Sequence, residues 1–350
     1  MTIIDVAKAA GVSKSTVSRV LNSHQSVDPA LVRRVRAAMD SIGFVPKANR
    51  RGPKPKPMKV PGFQSGALGV LIIGRTREVL ELPYMARQLA GFTECAQERG
   101  LNVMIIEMPH PSELPPIIRE RGVDGVVAMG AIGEQKLVDM LNPLPSVWLG
   151  GDAPVFPLVD HVVPNNAAIG LLAAQYLVER NCRRFAFVNN EATHISFSAR
   201  RVAYVDVLRE HMQKVDIFEP LAQGAEHLLW DSERMRIDIG RLVRRIVKRK
   251  TVPDGFFLPS DQQASIFQAL MVAEGLVPEQ DFFTISCNCD EAWLATMTPR
   301  AATIDPCPLD VGRAAARQLI RRIENPFEEV VTITVRPHVI LPDRPAVRGS

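Results

Sequence analysis

Lys14, Ser15 and Arg19 lie in the stretch KSTVSRVL, residues 14–21, where their spacing puts all three on one side of a helix. Their side-chain tips suit base edges. A guanidinium grips O6 and N7 of guanine with two bonds, and groups at the N-terminal end of a recognition helix reach neighbouring bases. Thr2, Ser13, Thr16, Ser18 and Asn22 add hydroxyls and an amide suited to phosphate oxygens, which fix register without reading sequence. Ser13 suits a helix cap equally well, and that alternative stands beside the phosphate contact.

The elements that must position these groups are legible around them. Thr2 and Asp5 have the spacing of a capping box, with aspartate in the usual place of glutamate or glutamine. They lead into an apolar stripe of Ile3, Ile4, Val6, Ala7 and Ala10 that Gly11 stops. A second helix starts at Ser13 and turns Val17, Val20 and Leu21 inward. A third starts at Asp28-Pro29 and carries Leu31, Val32, Val35, Ala38, Met39 and Ile42 on one face up to Gly43. Three short helices with a glycine turn between the first two make a helix-turn-helix. The second helix has so narrow a buried stripe because its other face is to lie in a major groove.

Charge supports that division. Residues 1–59 carry 12 Lys/Arg against 3 Asp/Glu, and the remaining residues carry 30 against 35. A basic head on a mildly acidic body points to a polyanion as the head's partner. The 350 residues exceed what one core usually fills, and 46% hydrophobic with 23% charged residues is the composition of a folded chain. Neither a signal-peptide pattern nor an apolar run of membrane-spanning length is visible, so the cytoplasm is the expected compartment and no membrane partner is expected. Cys95, Cys182, Cys287, Cys289 and Cys307 read as reduced thiols: Cys287 and Cys289 form a C-x-C, but no second pair completes a zinc set. His161, His194, His211 and His227 show no metal spacing, and no phosphate loop, nucleophile elbow or paired-carboxylate motif appears. Neither a metal, a cofactor nor an enzymatic activity is expected.

The run TIIDVAKAAGVSKSTVSRVLNSHQSVDPALVRRVRAAMDSIGFVP closely resembles the DNA-binding head of the LacI/GalR (lactose/galactose repressor) family. That resemblance places Lys14, Ser15 and Arg19 where the family reads bases. The following segment departs from the family, which carries a hinge helix with a leucine lever there. Here KANRRGPKPKPMKVPGFQSG has Pro53, Pro55, Pro57 and Pro61, which forbid a continuous helix and favour an extended chain. Two readings remain: a basic arm of Arg50, Arg51, Lys54 and Lys56 lying in an A·T-rich minor groove, or a flexible tether touching phosphates nonspecifically.

From Gly66 onward, apolar runs such as ALGVLIIG, LNVMIIEM, VDGVVAMG, SVWLGG, RRFAFVNN, DGFFLPSD, FFTISCN and VTITV alternate with amphipathic helical stretches. That alternation means parallel sheets with helices on both faces and ligands at strand carboxyl ends. GFTECAQERG, GVDGVV, GLLAAQYLVERNCRRFAFV and PRAATID resemble the family's effector domain, itself like periplasmic sugar-binding proteins. The expected fold is an all-α helix-turn-helix head with an α/β periplasmic-binding-protein-like body of two parallel-sheet lobes. The expected divisions are 1–46 for the head and 47–65 for the linker, then 66–163 with 291–326 for one lobe and 164–290 with 327–345 for the other. The three interlobe crossings then fall near Pro164, Cys289 and Phe327.

The resemblance also nominates effector contacts. Arg201 in SARRVAY is matched to the arginine of an R-x-x-G-aromatic motif, with Tyr204 in place of the glycine. Asn288 falls where most members have an aspartate; Ser260 and Asp261 match a strand-end pair, although Asp261 also suits a helix cap. Tyr84 fits a cleft loop in which Leu82 replaces an asparagine, Asp305 and Asp152 stand near cleft edges, and Trp148 suits either sugar stacking or the core. The function implied is a transcription regulator, expected to repress, that binds a near-palindromic operator as a homodimer under a sugar-like effector. The alternative is a constitutive DNA-binding protein whose body serves only dimerisation.

Overall fold

The computed structural model describes residues 2–21, 27–44, 60–74, 77–110, 112–130, 135–141, 143–150, 159–220 and 232–342. The chain divides into two compact units at residues 56/57. Among the described residues the first holds three helices, α1 (Ile3–Ala10), α2 (Lys14–Leu21) and α3 (Pro29–Ser41). Val6, Ala7, Ala10, Val17, Val35 and Ala38 form its core, with Val20, Leu21, Met39, Ile42 and Phe44 packed around it. Ile4 departs from the expected stripe and is 50% exposed, because the core takes only the i, i+3, i+4 positions of so short a helix. At the end of α1, Gly11 adopts φ 58°, and its N–H bonds back to the carbonyls of Ala7 and Lys8.

The second unit is α/β. Its first sheet has strands β1 (Ala67–Ile73), β2 (Asn102–Met108), β3 (Gly125–Gly130), β4 (Ser146–Leu149) and β5 (Asp160–Pro164). The helices between them are α4 (Pro83–Glu98), α5 (Pro116–Arg119) and α6 (Gln135–Leu141). The second sheet has β6 (Phe185–Val188), β7 (Val215–Phe218), β8 (Gly255–Phe257), β9 (Phe283–Cys287) and β10 (Ala302–Asp305). With it go α7 (Asn166–Glu179), α8 (Ile195–Glu210), α9 (Ser232–Val247), α10 (Asp261–Ala273) and α11 (Glu291–Leu294). The chain ends in α12 (Pro308–Glu324), β11 (Thr332–Val335) and β12 (His338–Ile340).

Among the described residues the strand orders are β2-β1-β3-β4-β5-β11 and β7-β6-β8-β9-β10-β12. Every pairing is parallel except β10 with β12. The order reverses beside β1 and β6, so each sheet has a switch point where the loops splay apart and leave a crevice.

This topology moves two of the expected crossings. The chain first passes between lobes after Pro164. β10 still belongs to the second sheet, so the second crossing follows Asp305 and not Cys289. β11 pairs with β5 in the first sheet and β12 with β10 in the second, which puts the third crossing at residues 336–337 and not at Phe327. Between the last two crossings α12 packs on α4, where Cβ atoms at Gly91 and Gly312 would meet the carbonyl oxygens of Leu309 and Gln88 at 2.0 and 1.9 Å. Only glycine permits that backbone approach.

Two carboxylates, Asp160 buried and Asp124 half-buried, tie segments together. Asp160 accepts from Arg322 Nε and Nη2 at 2.8 Å each, from Gln318 Nε2 at 2.9 Å and from the Val331 N–H at 2.9 Å. Burial raises its pKa, but these donors outweigh burial and hold the carboxyl below its ordinary value. Asp124 accepts from the N–H groups of Gln64, Ser65 and Gly66 at 2.7–2.9 Å and so anchors the start of β1.

Candidate functional site

Two sites are built, one in each unit. In the head, Ser13 caps α2: its Oγ accepts from the Thr16 N–H at 3.1 Å and lies 2.7 and 2.9 Å from the hydroxyls of Ser15 and Thr16. The cap fixes the first turn of α2. Val17 is fully buried beneath it, while Lys14, Ser15 and Arg19 are exposed and Ser18 is half-buried. Thr2 is occupied at the start of α1, where the Asp5 carboxylate accepts from its N–H at 2.7 Å and its hydroxyl at 3.0 Å. Those bonds hold the Asp5 pKa below its ordinary value. Asn22, Arg50, Arg51, Lys54 and Lys56 lie outside the described residues, as does Asp152.

One residue that sequence reasoning missed fixes the turn. Arg34, from α3, donates to the Ala10 carbonyl through Nη2 at 2.7 Å and Nε at 3.2 Å, and to the Gly11 carbonyl at 3.0 Å. A basic side chain closing the C-terminal end of α1 holds α2 at its angle. Its signal lay only in the surplus of arginine along an otherwise amphipathic helix.

In the body, a cavity of about 450 Å³ opens between the lobes at the carboxyl ends of both sheets. Tyr84, Ser260, Asp261 and Asn288 line it, as expected, together with Arg200, Glu191, His194, Phe197, Asp290 and Trp293, which were not expected. Arg200 is 3% exposed. Its Nε donates to Asn166 Oδ1 at 2.9 Å, and its Nη1 donates to the Pro259 carbonyl at 2.6 Å and Asn288 Oδ1 at 3.5 Å. The guanidinium lies 5.4 Å from the Phe197 ring centroid, and the His194 ring stacks on Phe197 at 3.9 Å. Asn288 sits at φ 111°, and its carbonyl accepts from Arg87, which reaches over from α4 of the other lobe.

Ser260 caps α10, its Oγ accepting from the Gln263 N–H at 3.3 Å. Asp261 is the first residue of that helix, and its carboxylate is turned inward. It accepts from Ser286 Oγ at 2.5 Å, Thr303 Oγ1 at 2.6 Å and the Asp290 N–H at 2.7 Å, joining β9, β10 and the loop between β9 and α11. Burial pushes its pKa up to about 7 against these donors. Burial also raises the Tyr84 phenol, which accepts from Gln88 Nε2 at 3.0 Å. Among the described residues no group of three or more His, Cys, Asp or Glu side chains is placed to hold a metal ion.

Three nominated residues are not on the cavity wall. Arg201 points away and pairs with Glu219, Nη1 to Oε2 at 2.6 Å. Trp148 is fully buried in the core of the first lobe beside Leu71 and Ala128. Asp305 stays at the second crossing, where it accepts from the Cys307 N–H at 2.8 Å.

Residues 2–47 match the family described as "Bacterial regulatory proteins, lacI family", and residues 174–350 match "Periplasmic binding protein-like domain". The chain carries a lacI-family helix-turn-helix domain and, over half of its length, belongs to the periplasmic-binding-protein-like family. The chain is 27% identical over 350 residues to the ribose operon repressor of Escherichia coli K12, covering 96% of this chain and 97% of that one. It is 30% identical over 221 residues to the maltose regulon regulatory protein MalI of the same organism, covering 59% of each. The match to the regulator MalR of Streptococcus pneumoniae is 27% identical and spans 65% of that protein's length. In fold, it is similar to the CelR–cellobiose complex at TM-score 0.67 and 21% identity, covering 97% of this chain and 98% of that one. Among the described residues no helix is long and apolar enough to cross a membrane.

The family motif explains the arginine error. Read one residue earlier, R-x-x-G-aromatic begins at Arg200, with Ala203 in the glycine's place and Tyr204 as the aromatic. One residue along a helix turns a side chain by about 100°, and here that separates the cavity from the Glu219 pair.

Proposed function

We propose that this chain is a sequence-specific transcription regulator that binds a near-palindromic operator as a homodimer, one α2 helix per half-site. The observation that carries the reading is the exposed row of Lys14, Ser15 and Arg19 on a helix whose opposite side is pinned by Val17 and capped by Ser13. Arg19 grips guanine, Lys14 and Ser15 read neighbouring edges, and the hydroxyls of Thr16 and Ser18 meet phosphates. A regulator of this kind works in the cytoplasm, and its sign is repression, in keeping with the ribose operon repressor's name.

The body takes a carbohydrate effector in the interlobe cavity. Arg200, Asn288 and Glu191 supply hydroxyl partners there, and the names of the maltose, ribose and cellobiose relatives support that class. Its binding shifts the balance between lobe arrangements and so operator affinity.

Selection of bound duplexes from a random pool at stated salt tests the reading. Two half-sites related by a two-fold axis are expected. A pool that shows no enriched sequence contradicts it.

A further inference from the structure

Two thiols meet at the second interlobe crossing. Cys289 follows β9 in the loop that leads to α11, and Cys307 is the last residue of the crossing before α12. Both are half-buried and open to small solutes, whereas Cys95 and Cys287 are buried. Cys182 is half-buried too, but it lies at the opposite, amino-terminal end of the same sheet, where its sulfur donates to the Asp254 carbonyl at 3.5 Å. Cys289 and Cys307 both hold the left-handed backbone conformation, at φ 52° and 56°. Glycine takes that conformation at lower cost, so cysteine at both positions points to a use for the side chains.

The β9–β10 ladder brings the two together. Ile304 pairs with Cys287, the Asn288 N–H donates to the Ile304 carbonyl at 3.0 Å, and the Cys289 N–H donates to Thr303 Oγ1 at 3.4 Å. Two residues past the last pair, that register sets Cys289 level with Pro306, one residue short of Cys307. Adjacent strands lie about 4.8 Å apart and one residue adds about 3.3 Å along the strand, a separation within the roughly 4.4–6.8 Å between Cα atoms that a disulfide spans. Burial pushes the Cys307 thiol up to about 11, and Asp305, Asp310 and Cys289 add to the rise. Cys307 is therefore protonated at neutral pH and needs a base to react. His338, at the start of β12 just past the third crossing, holds Nδ1 at 3.3 Å from its sulfur.

We propose that Cys289 and Cys307 are a thiol pair that a peroxide closes into a disulfide, with His338 as the base, tying the β9–α11 loop to the crossing and restraining the hinge. His338 takes the Cys307 proton, and the thiolate attacks the peroxide O–O bond. Cys307 becomes a sulfenic acid, and the departing hydroxide takes the imidazolium proton and leaves as water. The Cys289 sulfur then attacks the Cys307 sulfur, and its proton leaves with the hydroxyl as a second water. The two thiols lose two electrons and the peroxide gains two. A small thiol reopens the bond by exchange. This chemistry is independent of operator and effector binding.

The full chain, treated with hydrogen peroxide, alkylated and digested, is mapped by mass spectrometry. A Cys289–Cys307 linkage is expected, lighter by two hydrogens than the reduced pair and reopened by dithiothreitol. In Cys289→Ser, Cys307 is expected to stop at the sulfenic acid, which dimedone traps. His338→Gln is expected to slow closure at pH 7 by about tenfold or more. Hydrogen exchange at residues 286–290 and 305–309 is expected to slow by about threefold or more in the oxidised chain. Absence of the linkage in the wild-type chain overturns the proposal, as does pairing of either thiol with Cys95, Cys182 or Cys287 in its place. A linkage that forms equally well in the urea-unfolded chain also overturns it, because the fold then selects nothing. So does closure at the wild-type rate in His338→Gln, or hydrogen exchange that oxidation leaves unchanged.

Discussion

Arg200 and Arg201 are chemically identical neighbours on α8 with different environments. Arg200 is buried and donates to Asn166 and the Pro259 carbonyl, so Arg200→Ala removes a charged donor from two buried acceptors. Urea denaturation should show a loss of about 2–4 kcal/mol for Arg200→Ala. Arg201 is 30% exposed beside Glu219, and Arg201→Ala should cost less than about 1 kcal/mol. Equal losses would contradict the assignment. Asp261 yields a pH prediction. Burial raises its folded pKa to about 7 from an ordinary 3.8, so the folded state holds the proton more tightly than the unfolded chain. Its contribution is therefore fully present below about pH 4 and is lost as pH rises through 7. Relative to Asp261→Asn, which cannot titrate, the wild-type chain should lose stability between pH 5 and 7 by about 1 kcal/mol per unit. A difference that is flat with pH, or of opposite slope, would show that the three donors and not burial control the carboxyl.

At the scale of elements, much was legible because periodicity and caps point the same way. The three head helices start at Thr2, Ser13 and Asp28 and are separated by Gly11, and each signal is local to the chain. The long strands β1, β2 and β3 were equally plain as apolar runs. β5, β7 and β12 were not: they are three to five residues long, and their membership is set by pairing with distant strands. Arg34 was invisible for the same reason, since its acceptors lie 23 and 24 residues away. The α4–α12 contact was also beyond sequence reading, because Gly91 and Gly312 gain their meaning only when the helices cross. Gly312→Ala should force the helices apart and lower body stability by about 1–3 kcal/mol, read from thermal unfolding. An unchanged midpoint would mean that the crossing is loose.

At the scale of the molecule, the crossings show where local patterns end. The passage after β10 occupies only Pro306 and Cys307, the latter at φ 56°, before α12 begins on the other lobe. Nothing in composition marks so short a step. The cavity was legible as a location, at strand ends beside the switch points, but its wall chemistry required both sheets to be in place. Asp160 holds the returning segment to the first lobe through Arg322. Asp160→Ala, which takes the carboxylate from the half-buried Arg322 and the acceptor from Gln318 and the Val331 N–H, should cost about 2–4 kcal/mol in equilibrium unfolding of the body. A loss below 1 kcal/mol would show that the return of the chain is held by packing alone.

The most direct measurement is the affinity of wild-type and Arg19→Ala chains for a selected duplex and its scrambled counterpart at one salt concentration. If α2 reads base edges through Arg19, the variant loses about 1–3 kcal/mol of preference for the selected duplex while its binding to the scrambled one changes far less. A variant that discriminates between the two duplexes as well as the wild type would contradict the account.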